Sequence, residues 1–187
     1  PEGELVDALG QKGALLRRAL ALGCPVPMGF HVPASWAEAA REGLTAEGRR
    51  ALWGALEALE ARTGLGLDGA EPLCVAVRSS PRVSQPGALP TVLDVGATAT
   101  ALAGLELRLG SRLAALDCRV RFLRAMARVL GVGPATTAGA RRGVRGPALQ
   151  PTVEALEAEI GELEKALADR GAATARDEVE LAVVALA

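Results

Sequence analysis

The amino-acid sequence predicts a mixed α+β fold in which about six helices surround a small sheet of short strands. Over most of the chain, apolar residues recur at the three- and four-residue spacing of a buried helix face. Two short strands are predicted at 73–78 and 91–95. The apolar run Leu73 to Val77 leads at once into Arg78, Ser79 and Ser80, and Gly96 ends the second strand. A third short strand is predicted near 28–32. Half of the 187 residues are hydrophobic, which is enough for a buried core.

Potential capping residues precede most of the predicted helices. A Ser, Thr or Asp side chain in such a position accepts a hydrogen bond from a backbone N–H group that the helix leaves free. The predicted caps are Ser35, Thr45, Thr98, Ser111, Thr152 and Asp177. A further helix, with apolar residues from Leu15 to Leu22, is predicted after a polar lead-in at 1–7, and Gly23 is expected to end it.

The chain is predicted to divide into three segments. Residues 1–132 form the core of the domain. Residues 133–150 are rich in glycine, proline and arginine and are predicted to form a mobile loop. Residues 151–187 are predicted to form a pair of helices that pack on the same domain.

The composition argues against several classes of partner. The net charge is -1, aromatic residues make up 2% of the chain and tyrosine is absent, so no nucleic-acid partner is expected. No apolar run is long enough to span a membrane, and no membrane partner is expected. Cys24, Cys74 and Cys118 lie far apart among apolar residues, which indicates buried free thiols in a cytoplasmic protein and no metal site.

Few residues suit acid–base or nucleophilic catalysis. The one histidine, His31, lies in a proline-rich segment without a nucleophile motif nearby, so we interpret it as structural. Arg119, Arg121 and Arg124 lie on one predicted helix and are interpreted as a solvated face. We therefore predict no catalytic residue within this sequence.

One segment with phosphate-binding residue types follows the strand at 73–78. Arg78, Ser79 and Ser80 lead there into a loop that contains Gly87. A guanidinium binds phosphate oxygens through paired donors, and glycine lets the backbone approach a ligand closely. The alternative interpretation is a surface loop with a solvated arginine.

A second such segment is the Gly-x-Lys-Gly turn formed by Gly10, Lys12 and Gly13, which opens a predicted helix. Its free N–H groups and the positive end of the helix dipole would lie beside the lysine ammonium, and anions bind in such places. A solvated lysine at the start of a helix is the alternative. Lys12 and Lys165 are the only lysines in the chain.

Three segments, in this order, resemble pyruvate, phosphate dikinase and its relative phosphoenolpyruvate synthase. The segment 9–30 begins LGQKGA and ends GCPVPMGF, and is similar to the family signature LGGKGANL…GLPVPPGF. The segment 77–96 contains VRSS and SQPGALPTVLDVG, and is similar to VRSGA…SMPGMMDTVLNLG. The weaker third segment, DCRVRF at 117–122, is similar to DSYRRF.

The resemblance implies the N-terminal subdomain of an ATP-grasp-like nucleotide-binding module. In such an enzyme ATP phosphorylates a histidine on a separate domain, for transfer to pyruvate. The residues that match nucleotide-binding positions are Lys12, Gly13, Arg78, Ser79, Ser84, Gly87 and Thr91. By that match Lys12 would contact the ATP phosphates, Arg78 would belong to the phosphate-side loop, and the last three would lie over the polyphosphate.

The same resemblance implies ATP as the cofactor, with magnesium only if the second half of the module is supplied. We expect that half to be missing here, which would leave a phosphotransferase segment that is inactive alone. The implied partners are a nucleotide and either the missing half or a phosphohistidine domain. Gln11 replaces a motif glycine and Pro90 replaces the motif's acidic residue, which favours an alternative: a degenerate non-catalytic homologue with a structural or regulatory binding role.

Overall fold

The computed structural model describes residues 2–33, 43–67, 69–80, 90–132, 151–168 and 175–186. This part of the chain contains helices and strands together, so the predicted α+β class is confirmed. Its helices are α1 (Glu2–Ala21), α2 (Ala46–Thr63), α3 (Leu102–Leu109), α4 (Arg112–Leu130), α5 (Val153–Leu167) and α6 (Ala175–Ala185). Its strands, β1 (Val75–Arg78) and β2 (Thr91–Val95), pair as an antiparallel sheet. None of these helices combines the length and the apolar character that crossing a membrane requires.

Hydroxyl caps begin three of the helices as predicted. The Thr45 hydroxyl accepts a hydrogen bond from the backbone N–H three residues later at 3.1 Å. Ser111 and Thr152 do the same at 3.2 Å. These three bonds satisfy amide groups that have no partner within the first helical turn. The prediction that Thr98 caps α3 is wrong: the N-cap residue is Ala101, which has no side-chain cap bond, and Thr98 accepts from the Ala101 N–H at 3.2 Å in the turn just ahead of the helix.

Three further predictions of local structure are wrong. The lead-in at 1–7 is helical from Glu2 onward. Residues 24–33 form no strand, because the prolines there lack ladder donors and no described strand lies alongside. α6 begins at Ala175, so Asp177 lies inside the first turn, where its charge faces the positive helix end and does not cap it. The predicted cap Ser35 lies outside the described residues.

The contacts divide the chain into two compact units. Unit 1 comprises Pro1–Gly64, Arg78–Thr91 and Val183–Ala187. Unit 2 comprises Leu65–Val77 and Val92–Ala182.

The predicted division of the chain at residues 132 and 150 stays a prediction. The glycine- and proline-rich stretch 133–150, on which that division depends, lies entirely outside the residues that the structure describes.

Helix α4 is central to unit 2, with α3 and α5 packed against it. Its apolar side chains contribute to two clusters of buried residues. The first contains Ala97, Leu105, Ala115 and Cys118, with Cys74 and Leu102 packed against it. The second contains Leu116, Val120 and Leu156, with Leu102, Leu113, Val153 and Ile160 packed against it. Full burial of a leucine or valine side chain stabilises a fold by about 1.5–3 kcal/mol, so these clusters hold the helices of unit 2 together.

Arg119 on α4 is buried, so its predicted place on a solvated face is wrong. Its guanidinium bonds Glu178 on α6, and it bonds Glu164 on α5 at 3.0 Å. It also lies 5.3 Å from the centre of the Phe122 ring. The side chains of Arg119 and Glu178 are only 9% and 6% exposed. Both charges are largely removed from water, so each stabilises the other.

The two neighbouring arginines of α4 are paired, although they are less buried. Arg124 holds the Glu159 carboxylate through two hydrogen bonds, of 2.6 Å and 2.7 Å. Arg121 lies 3.3 Å from carboxylate oxygens of both Asp94 and Asp117. The expected solvated face is therefore a row of ion pairs.

Burial of the cysteines differs from the prediction at one position. All three are free thiols, with Cys118 buried and Cys74 partly buried, whereas Cys24 is exposed. Cys24 follows the turn that ends α1, where Gly23 has a φ of 75°. Its N–H donates back to the Ala19 carbonyl at 2.9 Å, which closes the helix end and leaves the side chain outside.

Cys24 is expected to react with iodoacetamide at pH 8 well before the other two cysteines. Burial, together with the charge of Asp94, raises the pKa of the Cys74 thiol to about 11, and burial raises the pKa of Cys118. Since the thiolate is the reactive form, both should be slow. Peptide mass spectrometry of timed samples measures the order, and Cys24→Ser is the control that should lack the fast phase. Fast labelling of Cys74 in the folded chain would contradict the described burial.

Candidate functional site

The candidate site lies in unit 1, where α1 breaks at Gly10. Gly10 has φ 67° and ψ 174° within an otherwise helical segment. This backbone region is essentially restricted to glycine. Helical geometry resumes after Gly10, so Lys12 and Gly13 lie in the first turn of the second half of α1. The predicted Gly-x-Lys-Gly turn that opens a helix is therefore present.

Ser80 approaches this break from the segment that follows β1. A Cβ atom added to Gly10 would lie 1.6 Å from the Ser80 carbonyl oxygen and 2.6 Å from Ser80 Oγ. Ser80 Oγ donates to the Leu9 carbonyl at 2.9 Å and accepts from the Gly13 N–H at 3.1 Å. The close approach therefore needs the absent side chain of Gly10, and the two hydrogen bonds need the hydroxyl of Ser80.

Lys12 joins the same two segments. Its ammonium donates to the Ser79 carbonyl at 3.1 Å, although the two residues are 67 positions apart in the chain. The Lys12 side chain remains exposed. The structure thus brings together Lys12, Gly13 and Ser79, three of the residues that the sequence analysis selected.

Arg78 and Thr91 lie at one end of the sheet. Arg78 is the last residue of β1 and Thr91 is the first of β2. Because these strands are antiparallel neighbours, the two residues share that end. The Arg78 side chain is exposed, and it forms no ion pair or hydrogen bond with the described part of the chain. Ser79, the residue after Arg78, donates from its hydroxyl to the Leu186 carbonyl at 3.0 Å.

His31 lies beside the turn, a position that the sequence analysis did not foresee. A Cβ atom added to Gly13 would lie 3.3 Å from His31 Nδ1. Burial lowers the pKa of His31, although a hydrogen bond to the Ala8 backbone carbonyl opposes this. The ring is therefore mainly neutral at pH 7. No sequence signal linked it to the turn, because its neighbours are proline and apolar residues.

Two of the selected residues, Ser84 and Gly87, lie outside the described part of the chain. Within that part, no three His, Cys, Asp or Glu side chains come together as ligands for a metal ion.

Comparison with curated proteins gives partial matches to dikinases. The chain is 32% identical over 127 residues to the pyruvate, phosphate dikinase of Giardia intestinalis, a match that covers 62% of this chain and 14% of that protein. It is 34% identical over 122 residues to that of Clostridium symbiosum, with 63% and 14% covered. Part of this chain is similar to pyruvate, phosphate dikinases. The resemblance that the sequence motifs predict is thereby confirmed.

A third dikinase gives a match of the same extent. The chain is 38% identical over 120 residues to pyruvate, phosphate dikinase 2 of Oryza sativa, with 63% of this chain and 13% of that protein covered. No family model matches the chain. The matched part of the chain thus covers about one seventh of the length of these dikinases.

Proposed function

We propose that unit 1 binds the polyphosphate of ATP as one segment of a dikinase-like phosphotransferase. The observation that carries the proposal is the contact between the Gly-x-Lys-Gly turn and the segment after β1. These are the parts of the two strongest motifs that would have to meet around one polyphosphate. They do meet, through the Lys12 ammonium and the Ser79 carbonyl at 3.1 Å.

The first turn after Gly10 provides the positive groups. Its N–H groups point along the helix axis and carry the positive end of the helix dipole, which favours a bound anion. The Lys12 ammonium is a compact, movable charge on a flexible chain, so it can turn from the Ser79 carbonyl to a phosphate oxygen. A charge-assisted hydrogen bond of that kind is roughly twice as strong as a neutral one.

Arg78 provides the second positive group. Its exposed guanidinium follows the edge of β1 and is joined through Ser79 to the contact with Lys12. A guanidinium can hold two phosphate oxygens at once, whereas the ammonium holds one. Thr91 shares that end of the sheet and adds a hydroxyl. We propose that Ser84 and Gly87, which the resemblance assigns to the same loop, complete the set of contacts.

The proposed segment binds and orients ATP and does not itself transfer phosphate. The resemblance assigns the phosphoryl acceptor to a histidine on a separate domain, which passes the group to pyruvate. His31 does not fit that role. Its ring is partly buried, it bonds the Ala8 carbonyl, and its lowered pKa reflects that burial. The ATP-grasp fold and a cytoplasmic location remain parts of this proposal.

Lys12→Ala is expected to weaken ATP binding by about ten-fold, the low end for loss of a hydrogen bond to a charged group. Arg78→Ala should weaken it at least as much, because a bidentate contact is lost. Isothermal titration of the chain with ATP measures both, at low salt because the groups are exposed.

The chain supplies a matched control for each variant. Lys165 is the only other lysine and is exposed on α5. Arg128 is exposed in the last turn of α4. Lys165→Ala and Arg128→Ala should bind ATP as the unchanged protein does. Equal ATP affinity of Lys12→Ala and Lys165→Ala would contradict the proposal. The alternative of a degenerate non-catalytic homologue would then be the better description.

A further inference from the structure

Ser80 contacts the two backbone groups that flank the break in α1. Leu9 and Gly13 are four residues apart, which is the spacing of a helical hydrogen bond between C=O and N–H. The Ser80 hydroxyl bridges that same pair, donating to Leu9 at 2.9 Å and accepting from Gly13 at 3.1 Å. Both bonds come from a residue 67 to 71 positions away in the chain.

The Gly13 N–H is one of the groups that the proposed function needs. A phosphate oxygen at the start of the second half of α1 would take a hydrogen bond from the amides of its first turn. The N–H group of Gly13 has a single proton to donate, and Ser80 Oγ receives it. A phosphate oxygen and the serine hydroxyl therefore compete for one donor.

The segment after β1 also binds the Lys12 ammonium. Lys12 donates to the carbonyl of Ser79, the residue before Ser80. A polyphosphate that takes both the ammonium and the amide must therefore displace two neighbouring oxygens. Those two oxygens are uncharged, so a phosphate forms stronger hydrogen bonds with the ammonium and the amide than they do. The free energy of phosphate binding is nevertheless reduced, because the hydrogen bonds to the Ser79 carbonyl and the Ser80 hydroxyl must first be broken.

The hydroxyl of residue 80 is present in this chain and absent from the VRSGA motif of the dikinase family. The motif to which residues 77–80 are similar has glycine where Ser80 stands. A glycine there offers no side-chain oxygen to the Gly13 amide. The close approach to Gly10 involves the Ser80 carbonyl as well as the hydroxyl, so it does not require a serine.

We propose that Ser80 is an internal competitor for polyphosphate: its hydroxyl occupies the Gly13 amide, and binding requires that hydroxyl to leave. The inference rests on the proposed function, because it concerns the same site. Ser80 touches the groups that would bind the ligand and acts by withholding one of them. It therefore sets the affinity of the site without contributing a contact to the ligand.

The test measures the affinity of ATP and of inorganic tripolyphosphate by titration for the unchanged chain, Ser80→Ala, Ser80→Gly and Ser80→Thr. The first two variants should bind both ligands about five-fold more tightly, the factor that corresponds to one neutral hydrogen bond. Ser80→Thr keeps a hydroxyl and should retain the original affinity. Ser111→Ala, which removes a capping hydroxyl from α4 in unit 2, is the control and should change neither affinity.

A second measurement does not depend on a ligand. Amide hydrogen exchange should show that Gly13 is protected in the unchanged chain and exchanges faster in Ser80→Ala, with the rest of α1 unchanged. The role of Ser80 would be overturned if the protection of Gly13 were the same in Ser80→Ala. It would also be overturned if Ser80→Ala and Ser80→Gly did not bind more tightly while Lys12→Ala still weakened binding. The proposed function would stand in both cases. The proposed function, and this inference with it, would be overturned if no variant bound either ligand. The same holds if Lys12→Ala bound them with unchanged affinity.

Discussion

Arg119→Ala is expected to lower the free energy of unfolding by about 3–5 kcal/mol, the usual loss when one partner of a buried ion pair is removed. Glu178 would keep its carboxylate in the core with Glu164, a like charge, nearby. One oxygen of Glu178 already has no hydrogen-bond partner within the described structure. Urea unfolding followed by circular dichroism measures the loss at pH 7.

The free energy of unfolding that Arg119→Ala loses should be larger at neutral pH than at acid pH. Burial raises the pKa of Glu178 above its ordinary 4.5, and Arg119 and the Gly96 N–H only partly oppose this. A carboxyl group whose pKa is higher in the folded state than in the unfolded state stabilises the fold at a pH below the unfolded pKa. That stabilisation is lost as the pH rises through the folded pKa. Removing Arg119 raises the folded pKa further. The destabilisation should therefore be smaller at pH 4.5 than at pH 7.

Arg124→Ala is the matched control for this prediction. Arg124 also pairs with a glutamate on α5, but its side chain is 37% exposed, so its loss should cost about 1 kcal/mol or less. A combined Arg119→Met and Glu178→Leu variant should recover most of the loss, because no charge is then left buried. An Arg119→Ala variant that unfolds at the same urea concentration as Arg124→Ala would show that the pair is hydrated in solution.

Gly10→Ala is expected to lower the free energy of unfolding by about 3 kcal/mol or more. The backbone at φ 67° and ψ 174° alone costs a non-glycine residue about 1–3 kcal/mol. In addition, the new methyl group would overlap the Ser80 carbonyl oxygen, at 1.6 Å. The segment must then move away, which removes the bonds from Lys12 to Ser79 and between Ser80 and α1, each worth about 0.5–1.5 kcal/mol.

Gly3→Ala is the control in the same helix, since a Cβ atom on Gly3 would meet nothing within 4 Å. Alanine suits a helix better than glycine, so this variant should be at least as stable as the unchanged chain. If Gly10→Ala were as stable as Gly3→Ala, the break in α1 and its contact with Ser80 would not exist in solution.

The local elements could be predicted because each depends on a few neighbouring residues. The caps at Thr45, Ser111 and Thr152 each need one hydroxyl and an amide three residues on. The state of Arg119 could not be predicted in this way. Its carboxylate partners are 45 and 59 positions away, and only the packing of α4 with α5 and α6 brings them to it. A charged residue at helical spacing looks the same whether it is solvated or paired.

The two segments of the candidate site were selected from the sequence for a different reason. Composition and periodicity alone left Lys12 and Arg78 equally compatible with solvated surface groups. The resemblance selected both segments, and the structure adds that Lys12 reaches Ser79. The role of Ser80 could not be read from either source, because it depends on a φ value at Gly10 and on a distance between residues 67 positions apart.

The hydrogen bond from the Ser79 hydroxyl to the Leu186 carbonyl bears on how the protein is labelled. Leu186 immediately precedes residue 187, and its carbonyl lies 3.0 Å from a hydroxyl of the candidate site. A fluorescent dye or a fusion partner attached after residue 187 would thus report on, and could disturb, the surroundings of Ser79. The exposed thiol of Cys24 offers an attachment point elsewhere in the chain.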